Sequence, residues 1–269
     1  MINVQTYVPK DIDSVIKLLW HLEVTDRFTS YQEHIIPDGH PEIIFHLNTN
    51  GGSREMTFGK WVTEPAAFIS TQGTKVHHLR LEPGARLYGI QFYPHTLSIL
   101  CDAPLNSFST ETQPISDLRD LAAIAGCISE DINETFNKLE LFLKRSLNRK
   151  SQKTGFAYVD YAVKQILMTN GQAKLGAIID KCGVTPKYAI DLFKKNVGLS
   201  PKQLSNLVRL NHFIAYRNRH PEKTLTACGY ETGYFDQSHL VRSLQQVAGI
   251  SPASYFNIDR NINNIFSAF

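Results

Sequence analysis

The chain has 269 residues, 42% of them apolar and 20% charged, and this composition excludes a disordered polymer. No run approaches the roughly 18 consecutive apolar residues that a membrane helix requires, so a helical membrane protein is excluded as well. The formal net charge of +3 hides an asymmetry: residues 1–150 hold 14 Lys/Arg against 18 Asp/Glu, whereas residues 151–269 hold 14 against 7. A polyanion would meet the second half.

At the N-terminus Lys10, Asp11, Asp13 and Lys17 interrupt the apolar core that a signal peptide needs, and a cytoplasmic location is expected. Cys101, Cys127, Cys182 and Cys228 lie far apart, without metal or redox spacing, and read as buried thiols. Asp11 to Glu23 carries Val15, Leu18, Leu19 and Leu22 at a helical spacing, which predicts a helix there. Strand signals follow. Glu42 to Leu47 comes after the turn-like Pro37-Asp38-Gly39-His40-Pro41. Val76 to Glu82 and Leu87 to Phe92 are joined through Pro83-Gly84-Ala85-Arg86 and read as a hairpin.

His40, Glu42 and His46 alternate so that they could share one strand face, and imidazole with carboxylate suits a divalent metal. Polar strand residues beside a turn are the favoured reading, and no metal site or cofactor is assigned. His77 and His78 are adjacent, so on a strand they point to opposite faces. No nucleophile with its base and no glycine-rich phosphate loop is recognisable, and an enzyme is not expected.

From about residue 115 the periodicity turns helical. Asp117 to Ala125 reads as a short helix, and Glu130 to Arg149 places Ile132, Phe136, Leu139, Leu143 and Leu147 on one side. That stripe is expected to pack on its own domain, with pairing in a homodimer as the alternative. The expected division is an N-terminal sensory or oligomerisation domain over 1–148 (strand-rich to about 110, helical over 115–148), a polar linker over 149–155, and a helical domain over 156–269. The first helix of that last domain runs from near Phe156 to a C-cap at Asn170-Gly171.

One grammar then appears twice. In the second copy Leu225 to Thr232 is a short helix, Gly233 the tight turn, and Asp236 the N-cap of a helix reaching about Val247, which Gly249-Ile250-Ser251-Pro252 stops. Leu240, Leu244 and Val247 point one way and leave Gln237, Ser238, His239, Arg242 and Gln246 near the other face. Such a helix carries the donors and acceptors that base edges in a major groove require. The first copy runs from Leu175 through a turn at Cys182-Gly183-Val184 to Gly198, with Thr185 as N-cap and Pro186 at the first helical position. It buries Ala189, Leu192 and Phe193 and ends on a matching Gly198-Leu199-Ser200-Pro201. Lys202 to Arg219 reads as a helix connecting the two units.

Gly233-Tyr234-Phe235-Asp236-Gln237-Ser238-His239-Leu240, with Arg242 and Gly249 to Pro252, resembles the signature of the AraC/XylS family of transcription regulators, and Gly198 to Lys202 with Arg209-Leu210 matches its inter-unit segment. The likeness covers about residues 155–258. It implies that Gln237, Ser238, His239 and Arg242 face the groove in the second unit, and that Lys187, Asp191 and Lys194 fill the corresponding places in the first. Two departures stand out. Asp191 replaces an arginine, would repel phosphates, and could pair with Lys187 or accept from cytosine. Gly229 in the scaffold helix costs up to about 1 kcal/mol relative to alanine.

Tyr31 to Asn48 and Phe92-Tyr93-Pro94 resemble the N-terminal domain of a subset of these regulators, which implies a sensory or oligomerising role. The expected fold is therefore an α+β domain with a β-rich, cupin-like or barrel-like sheet, followed by an all-α domain with two helix-turn-helix units. The expected partners are double-stranded DNA, a small-molecule effector and, for an activator, RNA polymerase, with no membrane. The alternative is a metal-dependent enzyme or sugar-binding module of cupin type fused to a DNA-binding domain.

Overall fold

The N-terminal strands are β1 (Ile2–Tyr7), β2 (Ile16–Val24), β3 (Tyr31–Ile35), β4 (Glu42–His46), β5 (Gly52–Met56), β6 (Lys60–Thr63), β7 (Ala67–Ser70), β8 (His77–Leu81), β9 (Arg86–Phe92) and β10 (Thr112–Pro114). The structure is a computed structural model that describes residues 2–26, 28–47, 52–56, 60–108, 112–117, 119–149, 154–181 and 183–256. The strands form two antiparallel sheets, one ordered β1-β2-β9-β4-β7-β10 and the other β3-β8-β5-β6.

Side-chain alternation divides the first sheet into two faces. Leu18, Trp20, Leu22, Ile44, Phe68 and Leu87 turn toward the second sheet and meet Leu81. Leu19, Ile43, Phe45, Ile69, Tyr88, Ile90 and Phe92 turn the other way and are covered by helices. Those helices are α1 (Leu97–Leu100), α2 (Arg119–Ala122) and α3 (Ile132–Arg149), whose Leu97, Leu100, Leu121, Phe136, Leu139 and Leu143 are buried there. The Phe136 stripe thus packs on its own domain.

Three expectations are corrected here. The helix expected over residues 11–23 is instead a turn followed by β2. A strand covered on both faces reads as a nearly continuous apolar run, and Ile16 to Val24 is buried at every position but Lys17 and Glu23; in that run a helical spacing is matched by accident. The hairpin expected between Val76 and Phe92 does not form, because β8 pairs with β3 and β5 whereas β9 pairs with β2 and β4. The Pro83-Gly84 turn, with Gly84 at φ 70°, carries the chain from one sheet to the other. The short helix expected over 117–125 is broken into a 3-10 turn, α2 and a second 3-10 turn over Ala123–Cys127.

The C-terminal region is helical: α4 (Phe156–Met168), α5 (Leu175–Lys181), α6 (Pro186–Val197), α7 (Pro201–Arg219), α8 (Leu225–Glu231), α9 (Gln237–Ala248) and α10 (Pro252–Phe256). One core joins them, through Val163, Ile166, Phe193, Leu207, Phe213 and Leu244. α4 ends as Asn170 and Gly171 enter the left-handed region at φ 50° and 75°. Most of the expected linker, residues 150–153, lies outside the described residues. Among the described residues no helix is long and apolar enough to cross a membrane, and Cys101, Cys127 and Cys228 are buried and not joined in disulfides.

The two regions touch through specific groups. Ile36, from the segment after β3, is buried in the C-terminal core. Asn211 Nδ2 in α7 donates to the Pro37 carbonyl at 2.8 Å, and Val76 N donates to Val247 O at 2.6 Å. Ser98 Oγ contacts Asn196 Oδ1 at 3.2 Å, and His95 Nε2 lies 3.1 Å from Asp160 Oδ1.

Candidate nucleic-acid interface and interior cavity

Local chemistry sets both exposed helices. Thr185 accepts from Tyr188 N and Pro186 occupies the first turn of α6, while Gly198 closes that helix in the left-handed region. Asp236 accepts from His239 N at 2.6 Å, and Gly249 closes α9 in the same way. Ser200 and Gln203 form a reciprocal capping box at the start of α7, so the rod between the units has a defined beginning.

In α9 the inward side is Leu240, Leu244, Val247 and Ala248, all buried. Gln237, Ser238, Arg242, Gln245 and Gln246 are exposed. His239 is half-buried, its ring 5.2 Å from that of Tyr234, so it is held more firmly than its neighbours. Tyr234 in turn meets Ser243 Oγ at 3.2 Å and lies under the Arg209 guanidinium, which donates to Gly171 O at 2.6 Å. A groove between α7 and α9 is lined by Asn206, Arg209, His239, Arg242 and Gln246. Asn206 was not singled out from the sequence, where it is one polar residue among many in α7.

In α6, Lys187, Asp191 and Lys194 are exposed along one stripe, opposite buried Ala189, Leu192 and Phe193. The pairing of Asp191 with Lys187 does not form among the described residues. Asp191 thus presents an exposed carboxylate on the same stripe as the two lysines. Gly229 in α8 has a further reason beyond propensity: a Cβ there would lie 3.2 Å from Leu240 Cδ2, so the glycine lets α8 and α9 approach closely.

A family model described as a helix-turn-helix domain matches residues 178–258, the span of these two units. The C-terminal region is an AraC-type helix-turn-helix domain. A second model, described as a domain of unknown function (DUF6597), matches residues 5–114, which lie N-terminal to the AraC-type domain. No curated protein matches the chain. Among solved structures, ToxT from Vibrio cholerae O395 bound to (E)-4-(8-methylnaphthalen-1-yl)but-3-enoic acid is 9% identical, with TM-score 0.45 over 96% of this chain and 98% of that one. Unsaturated fatty acid bound ToxT from strain SCE256 is 11% identical, with TM-score 0.42 over 97% and 98%. The AraC-like transcriptional activator CuxR is 11% identical, with TM-score 0.29 over 80% of each chain.

A second feature lies between the two sheets. A cavity of about 130 Å³ is walled by Trp20, Leu22, Ile44, Leu79, Leu81 and Leu87, and its wall includes Ile35 to His40 and Asn211 of α7. Its polar groups fall into two sets. In one, Glu64 meets His46 Nε2 and Arg54 Nη2, each at 3.1 Å, and these partners outweigh burial to hold its carboxyl below the usual range. In the other, Gln91 Nε2 donates to both Asp38 Oδ2 and Glu42 Oε1 at 3.1 Å, and Trp20 Nε1 donates to Glu42 Oε1 at 3.1 Å. Burial and the nearby Asp38 charge push the Glu42 carboxyl up to about 8. Burial acts the same way on Asp38, but the adjacent His40 imidazole outweighs it and brings that carboxyl to about 2.

The residues weighed as a metal set do not converge, since His40 pairs with Asp38 and His46 with Glu64. Among the described residues no group of three such side chains could hold a metal ion. His77 lines the cavity, where burial lowers its pKa, while His78 points outward and pairs with Glu55. The cavity was missed in the sequence. Its one available signal was Gln91, an amide inside the apolar run from Leu87 to Phe92.

Proposed function

We propose that the protein reads double-stranded DNA through Gln237, Ser238, His239 and Arg242 of α9, supported by Lys187, Asp191 and Lys194 of α6, and that occupancy of the interior cavity regulates this. The observation that carries the first part is the exposure of an amide, a hydroxyl and a guanidinium on a helix locked by Asp236 and Gly249 onto a stiff helical platform. Those groups match the hydrogen-bonding edges of bases in a major groove. The lysines of α6 would contact phosphates, which position the protein without reading sequence. With 14 Lys/Arg against 7 Asp/Glu over residues 151–269, the domain has the charge that phosphate binding requires.

The second part rests on the cavity wall. Asn211 lines the cavity and belongs to α7, the rod joining the two units, so a ligand that moves the wall also moves the rod. The protein acts in this reading as a regulator and not as an enzyme, in the cytoplasm where the DNA lies. As an activator it would also meet RNA polymerase.

The test is selection of a binding site from random duplexes with the full chain, followed by titration of the selected site at fixed salt. Enrichment of one sequence, lost in Arg242→Ala, supports the assignment; enrichment unaffected by Arg242→Ala and His239→Ala together overturns it. For the cavity, Leu79→Trp fills the space, and in the folded protein it is expected to change affinity for the selected duplex.

A further inference from the structure

Resting on the reading of the cavity as an effector site, we propose that its ligand is a small amphiphile with a protonated amine, the ammonium held by Asp38, Glu42 and Gln91 Oε1 and the hydrocarbon part lying against Trp20, Ile44, Leu79 and Leu87.

Three observations lead there. First, the carboxyl groups of Asp38 and Glu42 already converge on one nitrogen, Nε2 of Gln91, at 3.1 Å each. Second, the ionised Asp38 carboxylate fixes the Gln91 amide, because only the NH2 end can donate to it. Its Oε1 is therefore an acceptor; Gln91 is 2% exposed, and this oxygen has no partner among the described residues. The Gln72 Oε1 atom, in the same cavity, is likewise a buried acceptor without a partner among the described residues, its Nε2 being engaged by Pro94 O. These two buried acceptors on one cavity suit a ligand that donates hydrogen bonds.

Third, the nearby cations do not favour an anion. Arg54 is engaged by Glu64 and Ser70, His40 is paired with Asp38, and Lys17 contributes only at a distance. A carboxylate ligand would face the ionised Asp38 directly, whereas an ammonium would pair with Asp38, with Glu42 once its proton leaves, and with the Gln91 amide oxygen. The remaining wall is aliphatic and aromatic, so the body of the ligand is apolar. A volume of about 130 Å³ is roughly ten times what one water needs, which suits a molecule of about ten heavy atoms.

Three probes with one skeleton separate the chemistries: phenethylamine, 2-phenylethanol and 3-phenylpropionate, titrated calorimetrically into the full chain at pH 7. The amine is expected to bind one to one and at least about tenfold more tightly than the alcohol, since hydrogen bonds to a charged group are the stronger ones. The carboxylate is expected not to bind. With the Glu42 carboxyl at about 8, binding of the ammonium also expels a proton to the buffer, visible as a dependence of the heat on buffer ionisation enthalpy. In Glu42→Gln the amine should lose most of its advantage while the alcohol keeps its affinity, with thermal unfolding confirming that the variant is folded. Binding of the carboxylate as tightly as the amine, no preference of amine over alcohol, or a preference that survives both Glu42→Gln and Asp38→Asn would each overturn the assignment. The reading beneath it fails separately: if Leu79→Trp leaves DNA affinity unchanged, the cavity has no regulatory role, whichever probe it takes.

Discussion

Asn211 Nδ2 donates to the carbonyl of Pro37 at 2.8 Å, and the same nitrogen also reaches Leu207 O at 3.0 Å within its own helix. One side chain thus ties the cavity wall to α7. Asn211→Ala should cost about 1 kcal/mol of stability, the ordinary worth of a part-buried hydrogen bond. It should also abolish the change in DNA affinity that Leu79→Trp causes. A double-mutant cycle on one duplex measures this, and an effect of Leu79→Trp unchanged by Asn211→Ala would place the coupling elsewhere.

Arg242→Ala should weaken specific DNA binding by roughly 1–3 kcal/mol and relax the preference at one base pair. Lys194→Ala should instead weaken binding evenly across sequences and reduce the salt slope by about one ion. Both side chains are exposed, so neither change should move the thermal midpoint. Titrations at three salt concentrations distinguish the two roles.

Burial depresses His95 to about 4, against the smaller opposing pull of Asp160. The unfolded chain, with an ordinary histidine near 6.5, binds a proton between those values that the folded chain does not. Stability from this group is therefore complete above about pH 6.5 and is lost as pH falls toward 4, by up to roughly 3 kcal/mol. Glu42 contributes in the opposite sense, because the folded protein keeps its proton up to about pH 8. The informative measurement is the difference in urea unfolding between parent and His95→Gln at pH 7.5 and 4.5. The variant should show a shallower loss; an equal loss refutes the assignment to His95.

Gly89 stands opposite Trp20 in the β2–β9 ladder, and a Cβ at Gly89 would lie 1.9 Å from Trp20 Cε2. Gly89→Ala must displace the indole and break its bond to Glu42, a loss of roughly 1–3 kcal/mol by overpacking. The chain has two tryptophans, so in a Trp61→Phe background the emission of Trp20 reports the displacement directly. An unshifted spectrum with unchanged stability would contradict the packing.

The caps at Thr185 and Asp236 and the stops at Gly198 and Gly249 were legible because each acts on a turn within three or four residues of itself. The polar face of α9 followed from helical period alone. The strand from Ile16 to Val24 was not legible, since burial on both faces erases the alternation that marks a strand. The crossing at Pro83-Gly84 was hidden for a related reason: its turn residues suit a hairpin equally well, and only the distant partners β3 and β5 remove β8 from β9.

Sequence by itself determined the twin helix-turn-helix units, their caps and the side chains they expose, because a helix satisfies its backbone with near neighbours. Only the tertiary structure decided which strands pair, that Asp38, Glu42 and Gln91 meet in one cavity, and that Asn211 closes its wall. Sheet partners and cavity walls are chosen between segments far apart in the chain, so no local pattern can name them.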